Sequence, residues 1–350
     1  MLTIAIPALN ESAVILDNVA ELKAWMTANL PDVTFEILVI DDGSTDGMGD
    51  LLETAAAEDP RLKVAHHAQN MGRGRGVRTA MTESESAYLI VLDADLSYGP
   101  EHIPALLEPL RRGRADVTLA SPYHKDGVVE NVPGIRAMMS RWGNRILVHS
   151  FQSEISTATC IVRGYTREVM DHLELVNDGK DLHLEVLYKA ELLGFRIQEV
   201  PAKLIWRDRR RGRSDRGGMS EWLWNNPLLK MRRVIVSHFL FNFIARPTLL
   251  FFGPILAGFG IALYGTVSLI VAYLGRLYAG ETQPLRQTLL DGQLTLTLTL
   301  ASFLISVFVL FFLFIASQAK KYFEEQYILS TRSHFLLKQM QRRQDRGSGS

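Results

Sequence analysis

The sequence YLIVLDADLS, residues 88–97, joins an apolar run to two carboxylates that stand one residue apart. A short apolar run that ends at turn-forming residues is typical of a buried strand. The oxygens of Asp93 and Asp95 are the kind of ligand that Mg²⁺ and Mn²⁺ prefer. The stretch therefore predicts a strand whose end holds a divalent cation against a diphosphate, although paired acids also occur as solvated loop residues.

Around this stretch, short apolar runs alternate with helical patterns. Strands are predicted at residues 2–6, 35–40, 62–65, 88–92 and 117–120, and helices near residues 13–29, 49–57 and 76–81. Strands separated by helices of this length indicate an α/β domain with a mainly parallel sheet. Ligands of such sheets bind beyond the carboxyl ends of the strands, so the polar residues that follow each strand are the candidate site.

The second part of the chain begins with more helical patterns. Helices are predicted at residues 133–151 and 181–193, with a strand at 195–200. A further helix starts at Asn226-Pro227 and is amphipathic to about residue 245, with Trp222 and Trp224 just ahead of it. We interpret this last helix as lying in a membrane interface, and the alternative is an ordinary surface helix.

Two long stretches, residues 248–274 and 294–316, contain no charged residue, although 22% of the whole chain is charged. Each exceeds the roughly 20 apolar residues that cross a bilayer core. We therefore expect a hairpin of two membrane spans. A pair of buried core helices is the alternative.

The formal net charge of +0 hides a strong segregation of charge. Basic residues crowd 207–216 and 230–233 before the first span, and Lys320 and Lys321 follow the second. Cationic flanks favour the cytoplasmic side. The expectation is an integral protein of the inner or plasma membrane, with the N-terminal domain and both termini cytoplasmic and no nucleic-acid partner.

The lone Cys160 excludes an internal disulfide and agrees with a reducing compartment. No signal peptide is expected, because the first strand begins directly after Met1 without a basic segment.

Polar clusters follow the first two predicted strands. Pro7, Asn10 and Glu11 end the first strand, and Asp41-Asp42-Gly43-Ser44 ends the second. Asp41 or Asp42 can accept the imide N–H of a nucleobase, and Ser44 can bind ribose or phosphate. As an alternative, the second cluster is simply a good turn and helix cap.

The third predicted strand leads into a glycine-rich segment that contains Asn70, Gly72 and Arg73. Spaced glycines let backbone N–H groups approach a phosphate, and arginines add charge. The spacing fits neither a dinucleotide-binding fingerprint nor a P-loop.

Taken in order, these clusters resemble those of the family 2 inverting glycosyltransferases, which have the GT-A fold. A later match is similar to the polyprenyl-phosphate glycosyltransferases, the dolichyl-phosphate mannose synthase group. The matching motifs are Pro7-x-x-Asn10-Glu11, Asp41-Asp42-Gly43-Ser44-x-Asp46, Asn70-x-Gly72-x-Gly74, Asp93-x-Asp95, Gly194-Phe195-Arg196-Ile197-x-Glu199-Val200-Pro201 and Arg209-x-x-Gly212-x-Ser214.

The resemblance implies a role for each matching residue. Asp93 and Asp95 would hold Mg²⁺ or Mn²⁺, and Asp95, Arg209 and Asp181 would be the catalytic residues. Phosphate or acceptor contacts would come from Arg209, Arg211, Arg213 and Ser214. The nucleotide contacts would be Pro7, Asn10, Glu11, Asp41, Asp42, Ser44, Asn70, Gly72, Arg73, Asp93 and Ala94.

Several positions depart from the resembled group. Ser97 stands where the group often has a Gln ligand, and Asp215 where it often has a Lys. Ala158-Thr159-Cys160-Ile161-Val162-Arg163 replaces the group's Thr-Ser-Gly-Phe-Arg. These changes bear on the sugar and the acceptor more than on the fold. The Gln-x-x-Arg-Trp motif of processive synthases is rejected, because Met138 precedes Arg141-Trp142 where that motif has Gln.

We expect four segments: a GT-A catalytic domain (1–218), an interfacial helix (219–247), a two-helix hairpin (248–317) and a polar cytoplasmic tail (318–350). The expected function is the transfer of one sugar from a UDP- or GDP-sugar to a polyprenyl phosphate at the cytoplasmic face. A homo-oligomer could form through Gly253, Gly258 and Gly260.

Two alternatives stay open. The acceptor could be a diacylglycerol-type lipid or a cell-surface glycan, which would need a catalytic base. Asp178, Asp181 and Glu185 are the candidates for that base, and Asp181 is preferred. The chain could also be a non-catalytic, nucleotide-binding partner of another membrane protein. A transporter is a poor interpretation, because neither span holds an ionisable residue.

Overall fold

The computed structural model describes residues 1–132, 134–149, 151–205 and 247–348. The strands are β1 (Leu2–Ala8), β2 (Phe35–Asp41), β3 (Leu62–His66), β4 (Tyr88–Val91), β5 (Val117–Ser121), β6 (Val128–Glu130), β7 (Arg163–Thr166), β8 (Ile197–Pro201) and β9 (Lys203–Ile205). The helices are α1 (Ile15–Asn29), α2 (Met48–Glu58), α3 (Arg73–Glu83), α4 (Ile103–Arg111, after the 3-10 turn Pro100–His102), α5 (Gly134–Val148), α6 (Arg167–His172), α7 (Leu182–Leu192), α8 (Pro247–Tyr278), α9 (Pro284–Asp291) and α10 (Gln293–Ser348).

Seven strands form one sheet in the order β3-β2-β1-β4-β7-β5-β8. All neighbours are parallel except β7, which runs antiparallel to both β4 and β5. The predicted α/β class with a mainly parallel sheet is therefore confirmed. β7 was not predicted, because its sequence Arg-Gly-Tyr-Thr lacks the apolar run that marks the other strands.

The core of the sheet is built from strands that are buried on both faces. Every residue of β2 is buried, and β1 is buried except at Pro7. Strands of this kind read as nearly continuous apolar runs. Helix α1 packs against the core through Ile15, Val19, Leu22 and Met26, which are spaced to share one face.

A second, two-stranded sheet brings a later part of the chain back to the end of β4. β6 and β9 pair in parallel. The backbone N–H of Ile205, the last residue of β9, donates to the carbonyl oxygen of Ser97 at 3.0 Å. Ile205 therefore lies next to Ser97, which follows Asp95 by two residues, although Ile205 is far from both in sequence.

The described residues divide into two compact units. The first lies within Met1–Lys230 and Tyr327–Ser350, and the second within Met231–Gln326. The last part of α10 therefore belongs to the first unit. Whether the four predicted segments are functional domains remains a prediction, and the predicted interfacial helix lies almost entirely outside the described residues.

Two helices, which lie mostly in the second unit, are long and apolar enough to cross a membrane. They cover Phe251–Tyr278 and Gln293–Ser333, with mean hydropathies of 2.1 and 2.8. The hydroxyl of Ser302 donates to the carbonyl oxygen of Gly258 at 2.8 Å. A side chain at Gly258 would collide with Ser306, so the small size of Gly258 serves a contact inside the hairpin.

The other two glycines proposed for oligomer contacts differ from Gly258. A Cβ atom added at Gly253 or Gly260 would meet no other atom within 4 Å. The predicted homo-oligomer remains a prediction.

Candidate active site

A cavity of about 290 Å³ opens at the carboxyl ends of the parallel strands. Its wall combines the turn after β1, the end of β2, the segment before α3 and the end of β4. The lining residues are Pro7, Ala8, Leu9, Glu11, Asp42, Asn70, Arg73, Asp93 and Ala94. The structure therefore brings seven of the predicted nucleotide-site residues into one cavity. Ala8 and Leu9 were missed, because apolar residues next to a strand end carry no chemical signal.

Asn10 and Ser44 form hydrogen bonds that join two turns beside the cavity. The backbone N–H of Asn10 donates to Ser44 Oγ at 2.9 Å, and the backbone N–H of Thr45 donates to Asn10 Oδ1 at 2.8 Å. Asn10 adopts a left-handed backbone with φ of 54°, which asparagine tolerates better than most residues. These bonds tie the turn after β1 to the turn after β2, and neither residue is part of the cavity lining.

The carboxylate of Asp42 holds the segment that carries Asn70. Its Oδ1 accepts from the backbone N–H of Met71 and from His67 Nδ1, at 2.9 and 2.7 Å, and its Oδ2 accepts from Gly72 N–H at 2.9 Å. His67 Nε2 in turn accepts from the hydroxyl of Thr79 at 2.8 Å. Asp42 thus lines the cavity and also fixes its wall. His67 was missed, because only the fold shows which side chain reaches Asp42.

Asp41 points away from the cavity. Its Oδ1 accepts from the backbone N–H of Ser44 at 2.9 Å, and its Oδ2 lies 3.2 Å from His66 Nδ1. Partial burial lowers the pKa of His66, but the carboxylates of Glu53 and Asp41 outweigh it and hold that pKa above its usual value. Of the two adjacent acids, the structure places Asp42 where a nucleobase could reach it.

Asp93 and Asp95 follow β4; Asp93 lines the cavity, and Asp95 is not part of its lining. Asp93 Oδ1 lies 3.7 Å from Arg73 Nη1. Asp95 Oδ1 accepts from the backbone N–H and the hydroxyl of Ser97, at 3.0 and 2.6 Å. From α1, Asn18 Nδ2 donates to the carbonyl oxygen of Ala94 at 2.7 Å. The turn that presents the two carboxylates is therefore held from both sides.

The donor set fits a hard divalent cation that a substrate completes. In the described ranges of the chain, no group of three or more His, Cys, Asp or Glu side chains could hold a metal ion. Mg²⁺ is usually bound through one or two carboxylates together with substrate phosphates. Asp93 and Asp95 are two such carboxylates, and the cavity that Asp93 lines offers room for a diphosphate.

The glycines before and within α3 have a steric role. A Cβ atom at Gly72 would lie 2.6 Å from the carbonyl oxygen of Asp178, and one at Gly74 would lie 2.5 Å from that of Gly179. Gly72 also has a φ of 101°. The segment around Asp178 therefore crosses these glycines closely. Protein backbone therefore explains why these two positions are glycine, and the predicted phosphate contact of Gly72 remains a prediction.

The three candidate bases near α7 differ in their surroundings. Asp178 accepts from Arg78 Nη1 at 2.6 Å. Glu185 is buried and accepts from the backbone N–H groups of Val176 and Asn177, both at 2.9 Å. Burial raises the pKa of Glu185, but Lys189 and these hydrogen bonds outweigh it and hold the pKa below its usual value. Asp181 is exposed, directly before α7.

Arg163 ends the segment that departs from the resembled group. Its guanidinium is fully buried and donates to the carbonyl oxygens of Ala158, Cys160 and His183, at 2.7, 2.8 and 2.9 Å. Burial and the nearby Asp93 carboxylate raise the pKa of the Cys160 thiol to about 11, so the thiol is protonated at neutral pH. This segment joins β7 to the start of α7.

The predicted phosphate or acceptor residues Arg209, Arg211, Arg213 and Ser214 lie outside the described residues. Their roles remain predictions.

The chain is similar to known proteins. Residues 3–174 match the family model described as Glycosyl transferase family 2. The chain is 29% identical over 203 residues to Glycosyltransferase AglD of Haloferax volcanii, covering 57% of this chain and 32% of that protein. The chain therefore spans about a third of that relative's length. It is 32% identical over 180 residues to Undecaprenyl-phosphate mannosyltransferase of Micrococcus luteus, covering 49% of this chain and 73% of that protein.

A solved structure is similar as well. It is glucosyl-3-phosphoglycerate synthase from Mycobacterium tuberculosis, in complex with Mg²⁺ and uridine-diphosphate. The similarity covers 69% of this chain and 79% of that chain, with 19% identity and a TM-score of 0.48. The strand-end motifs, the family model and the Micrococcus luteus relative agree: this chain belongs to glycosyltransferase family 2, and its N-terminal domain has the GT-A fold.

Proposed function

We propose that this protein transfers one sugar from a nucleoside diphosphate sugar to the phosphate of a polyprenyl phosphate. The observation that carries the proposal is a single cavity lined by Asp42 and Asn70 together with Arg73, Asp93 and Ala94. A nucleoside and its diphosphate need such a combination, with polar groups for the base at one end and charge for the phosphates at the other.

The donor is held by groups that the structure already orders. Asp42 and Asn70 face the nucleoside, with Pro7 and Leu9 providing apolar contact. Arg73 faces the diphosphate beside Asp93, and Asp93 and Asp95 would hold Mg²⁺ or Mn²⁺. When bound, that cation supplies positive charge to the diphosphate as it leaves.

The reaction is a single displacement with inversion. A phosphate oxygen of the acceptor forms a bond to the anomeric carbon, and the bond from that carbon to the β-phosphate oxygen breaks. The nucleoside diphosphate leaves with the electron pair, and Arg73 stabilises its growing negative charge. A phosphate monoester has a second pKa of about 6, so the acceptor is already an anion at neutral pH and no protein base is needed.

Three features support a lipid phosphate as acceptor. One is the pair of apolar helices in the second unit. Another is the identity of 32% to a protein named Undecaprenyl-phosphate mannosyltransferase. The third is the basic segment 207–216, which begins two residues after Ile205.

The basic flanks of the apolar helices support a cytoplasmic active site. Residues 230–233 precede the first span, and Lys320 and Lys321 follow the second. Positive residues next to a span are retained on the cytoplasmic side. Nucleotide sugars and the catalytic unit would then share one compartment.

The test is nucleoside diphosphate release by the purified full chain, with a panel of UDP- and GDP-sugars, Mg²⁺ or Mn²⁺, and either undecaprenyl phosphate or diacylglycerol. Turnover with the lipid phosphate is expected. Asp95→Asn keeps the shape of the side chain and removes its charge, so turnover should fall at least about a hundredfold. The matched control is Asp126→Asn, whose side chain is 65% exposed outside the cavity.

Each result leads to a different conclusion. Turnover that Asp95→Asn leaves unchanged would overturn the assignment of the site. If no donor released nucleoside diphosphate with any acceptor, the chain would be a non-catalytic nucleotide-binding protein.

A hydroxyl acceptor is the second candidate, and the exposure of Asp181 favours it as the base. If diacylglycerol is the acceptor, Asp181→Asn should abolish turnover. With a lipid phosphate, the same variant should retain most of it.

A further inference from the structure

The C-terminal tail contributes a buried face to the first unit. Tyr327 and Thr331 are buried and Phe335 is half-buried, although all three follow the charged residues 320–325 at the end of the apolar run. Residues four apart share one face of a helix. We call Tyr327, Thr331 and Phe335 the tail contact.

The tail contact packs on α6 and α7. The ring of Phe335 stacks on that of His172, with centroids 3.9 Å apart. The ammonium of Lys189 lies 4.6 Å from the ring centroid of Tyr327, within the range of a cation–π interaction. An interaction of this kind is stronger when the cation is removed from water, as Lys189 is here.

Lys189 links the tail contact to Glu185, because its ammonium contacts both Tyr327 and Glu185. The Lys189 ammonium donates to Glu185 Oε1 at 2.6 Å and to the carbonyl oxygen of Glu174 at 2.5 Å. A lysine has three N–H donors, so two oxygens and one aromatic face account for its bonding capacity. A buried ion pair depends on such complete bonding, because each charge has lost its hydration. The ring of Tyr327 therefore completes the surroundings of the pair.

Glu185 then holds the segment that leads to Gly179. It accepts from the backbone N–H groups of Val176 and Asn177 and from Asn177 Nδ2 at 2.8 Å. In the next residue, Asp178, the carbonyl oxygen accepts from the backbone N–H of Arg75 at 3.1 Å. The carboxylate of Asp178 accepts from Arg78.

The hydrogen bonds of residues 176–179 connect the tail contact to the wall of the cavity. The backbone of residues 178–179 crosses Gly72 and Gly74 so closely that neither position could carry a Cβ atom without a shift. Arg73 lies between these two glycines and lines the cavity beside Asp93. Any movement of residues 176–179 would therefore change the backbone on which Arg73 stands.

We propose that the tail contact is a positioning element of the donor pocket. Tyr327 fixes Lys189, and Lys189 and Glu185 fix residues 176–179, which hold the start of α3 with Arg73. The proposal rests on the proposed function only in taking the cavity as a nucleotide site. Residues beyond the second apolar helix thereby act on donor binding without touching the donor.

The test uses the full chain in detergent and two readouts. Tyr327→Leu keeps an apolar side chain in the contact and removes the aromatic face. Hydrogen exchange of peptides covering residues 70–78 and 174–181 should become faster. The Kd values for UDP and GDP with Mg²⁺ should rise about three- to tenfold, as for other changes within a coupled network.

Matched variants separate positioning from general damage. Tyr327→Phe keeps the aromatic ring, so its hydrogen exchange and its nucleotide Kd values should match those of the wild type. Tyr322→Leu removes an exposed tyrosine of the same helix and should behave as the wild type. If Tyr327→Leu does not fold, Lys189→Arg is the second variant, because it keeps the charge and alters the three contacts of the ammonium. The same two criteria then apply.

The proposal is overturned if exchange increases only in residues 174–181 while residues 70–78 and the nucleotide Kd values stay unchanged. It is also overturned if Tyr322→Leu has the same effects as Tyr327→Leu. A wild-type protein that binds neither nucleotide would overturn the proposed function instead. The exchange of residues 70–78 would still decide whether the tail contact acts on the cavity wall.

Discussion

His183 is a buried imidazole near the start of α7. Burial lowers its pKa well below the usual value, and the positive charges of Arg163, Arg73 and Lys180 add to the effect. The folded protein therefore keeps His183 neutral at a pH where the unfolded chain binds a proton. Stability that depends on this residue is fully present above pH 6.5 and is lost as the pH falls.

This residue predicts the pH dependence of folding. As the pH falls below 6.5, the wild type should lose unfolding free energy through His183, because the unfolded chain binds a proton there that the folded protein does not. His183→Gln should lack that component, so the difference between variant and wild type should change with pH. Urea unfolding at several pH values measures it. His149→Gln, at an exposed position, is the control, and parallel curves for His183→Gln and the wild type would contradict the prediction.

Single residues also show where sequence reasoning reached its limit. The pair Asp41-Asp42 predicts a nucleobase contact, but alternation of side chains along the end of β2 decides which carboxylate faces the cavity. Asp41 turns to His66 and Asp42 to the cavity. The sequence alone allowed either assignment, because both residues have the same chemistry.

At the scale of elements, the close crossing of residues 178–179 over α3 gives a second prediction. Gly74→Ala places a Cβ atom 2.5 Å from the carbonyl oxygen of Gly179. Backbone must move to accommodate it, so we expect lower stability and weaker nucleotide binding. Gly143→Ala in α5 is the matched control, because a Cβ atom there meets no other atom within 4 Å.

Substitution by alanine should therefore change the stability in opposite directions at Gly74 and at Gly143. Alanine is favoured over glycine in a helix by about 1 kcal/mol, so Gly143→Ala should be neutral or stabilising. Thermal unfolding and nucleotide titration of both variants check this. If Gly74→Ala were as stable as Gly143→Ala, the close crossing over α3 would be wrong.

Most elements of the sheet could be predicted, because parallel strands buried on both faces leave apolar runs in the sequence. The runs at residues 2–6, 35–40, 62–65, 88–92 and 117–120 correspond to β1 to β5. β7 could not be predicted in this way. The buried side chain of its Arg163 donates to three carbonyl oxygens, two in a loop and one in α7. These hydrogen bonds form only in the folded chain.

At the scale of the whole molecule, two helices of the second unit carry exposed apolar side chains along their length. Leu263 and Phe308 are examples, at 66% and 70% exposure. Apolar surface of this extent marks a partner or a membrane. A membrane agrees with their length and with the absence of charge from residues 248–274 and 294–316.

A charge in the middle of either helix should therefore impair membrane integration. Lysine at the centre of a span costs about 2.5–3.5 kcal/mol of insertion free energy. Leu263→Lys and Phe308→Lys should increase the fraction of protein that alkaline carbonate extracts from membranes. Leu51→Lys, on the exposed side of α2, is the control. Equal extraction of all three variants would mean that the two helices do not span the bilayer.

The hydrogen bond from Ile205 to Ser97 has a consequence for how this protein can vary. The bond joins two main-chain groups, so it does not depend on which side chains stand at either position. The segment that follows can change its charge, length and sequence while its origin stays beside Asp95. If that segment binds the acceptor, as proposed, acceptor preference can diverge among relatives without disturbing the turn that carries Asp93 and Asp95.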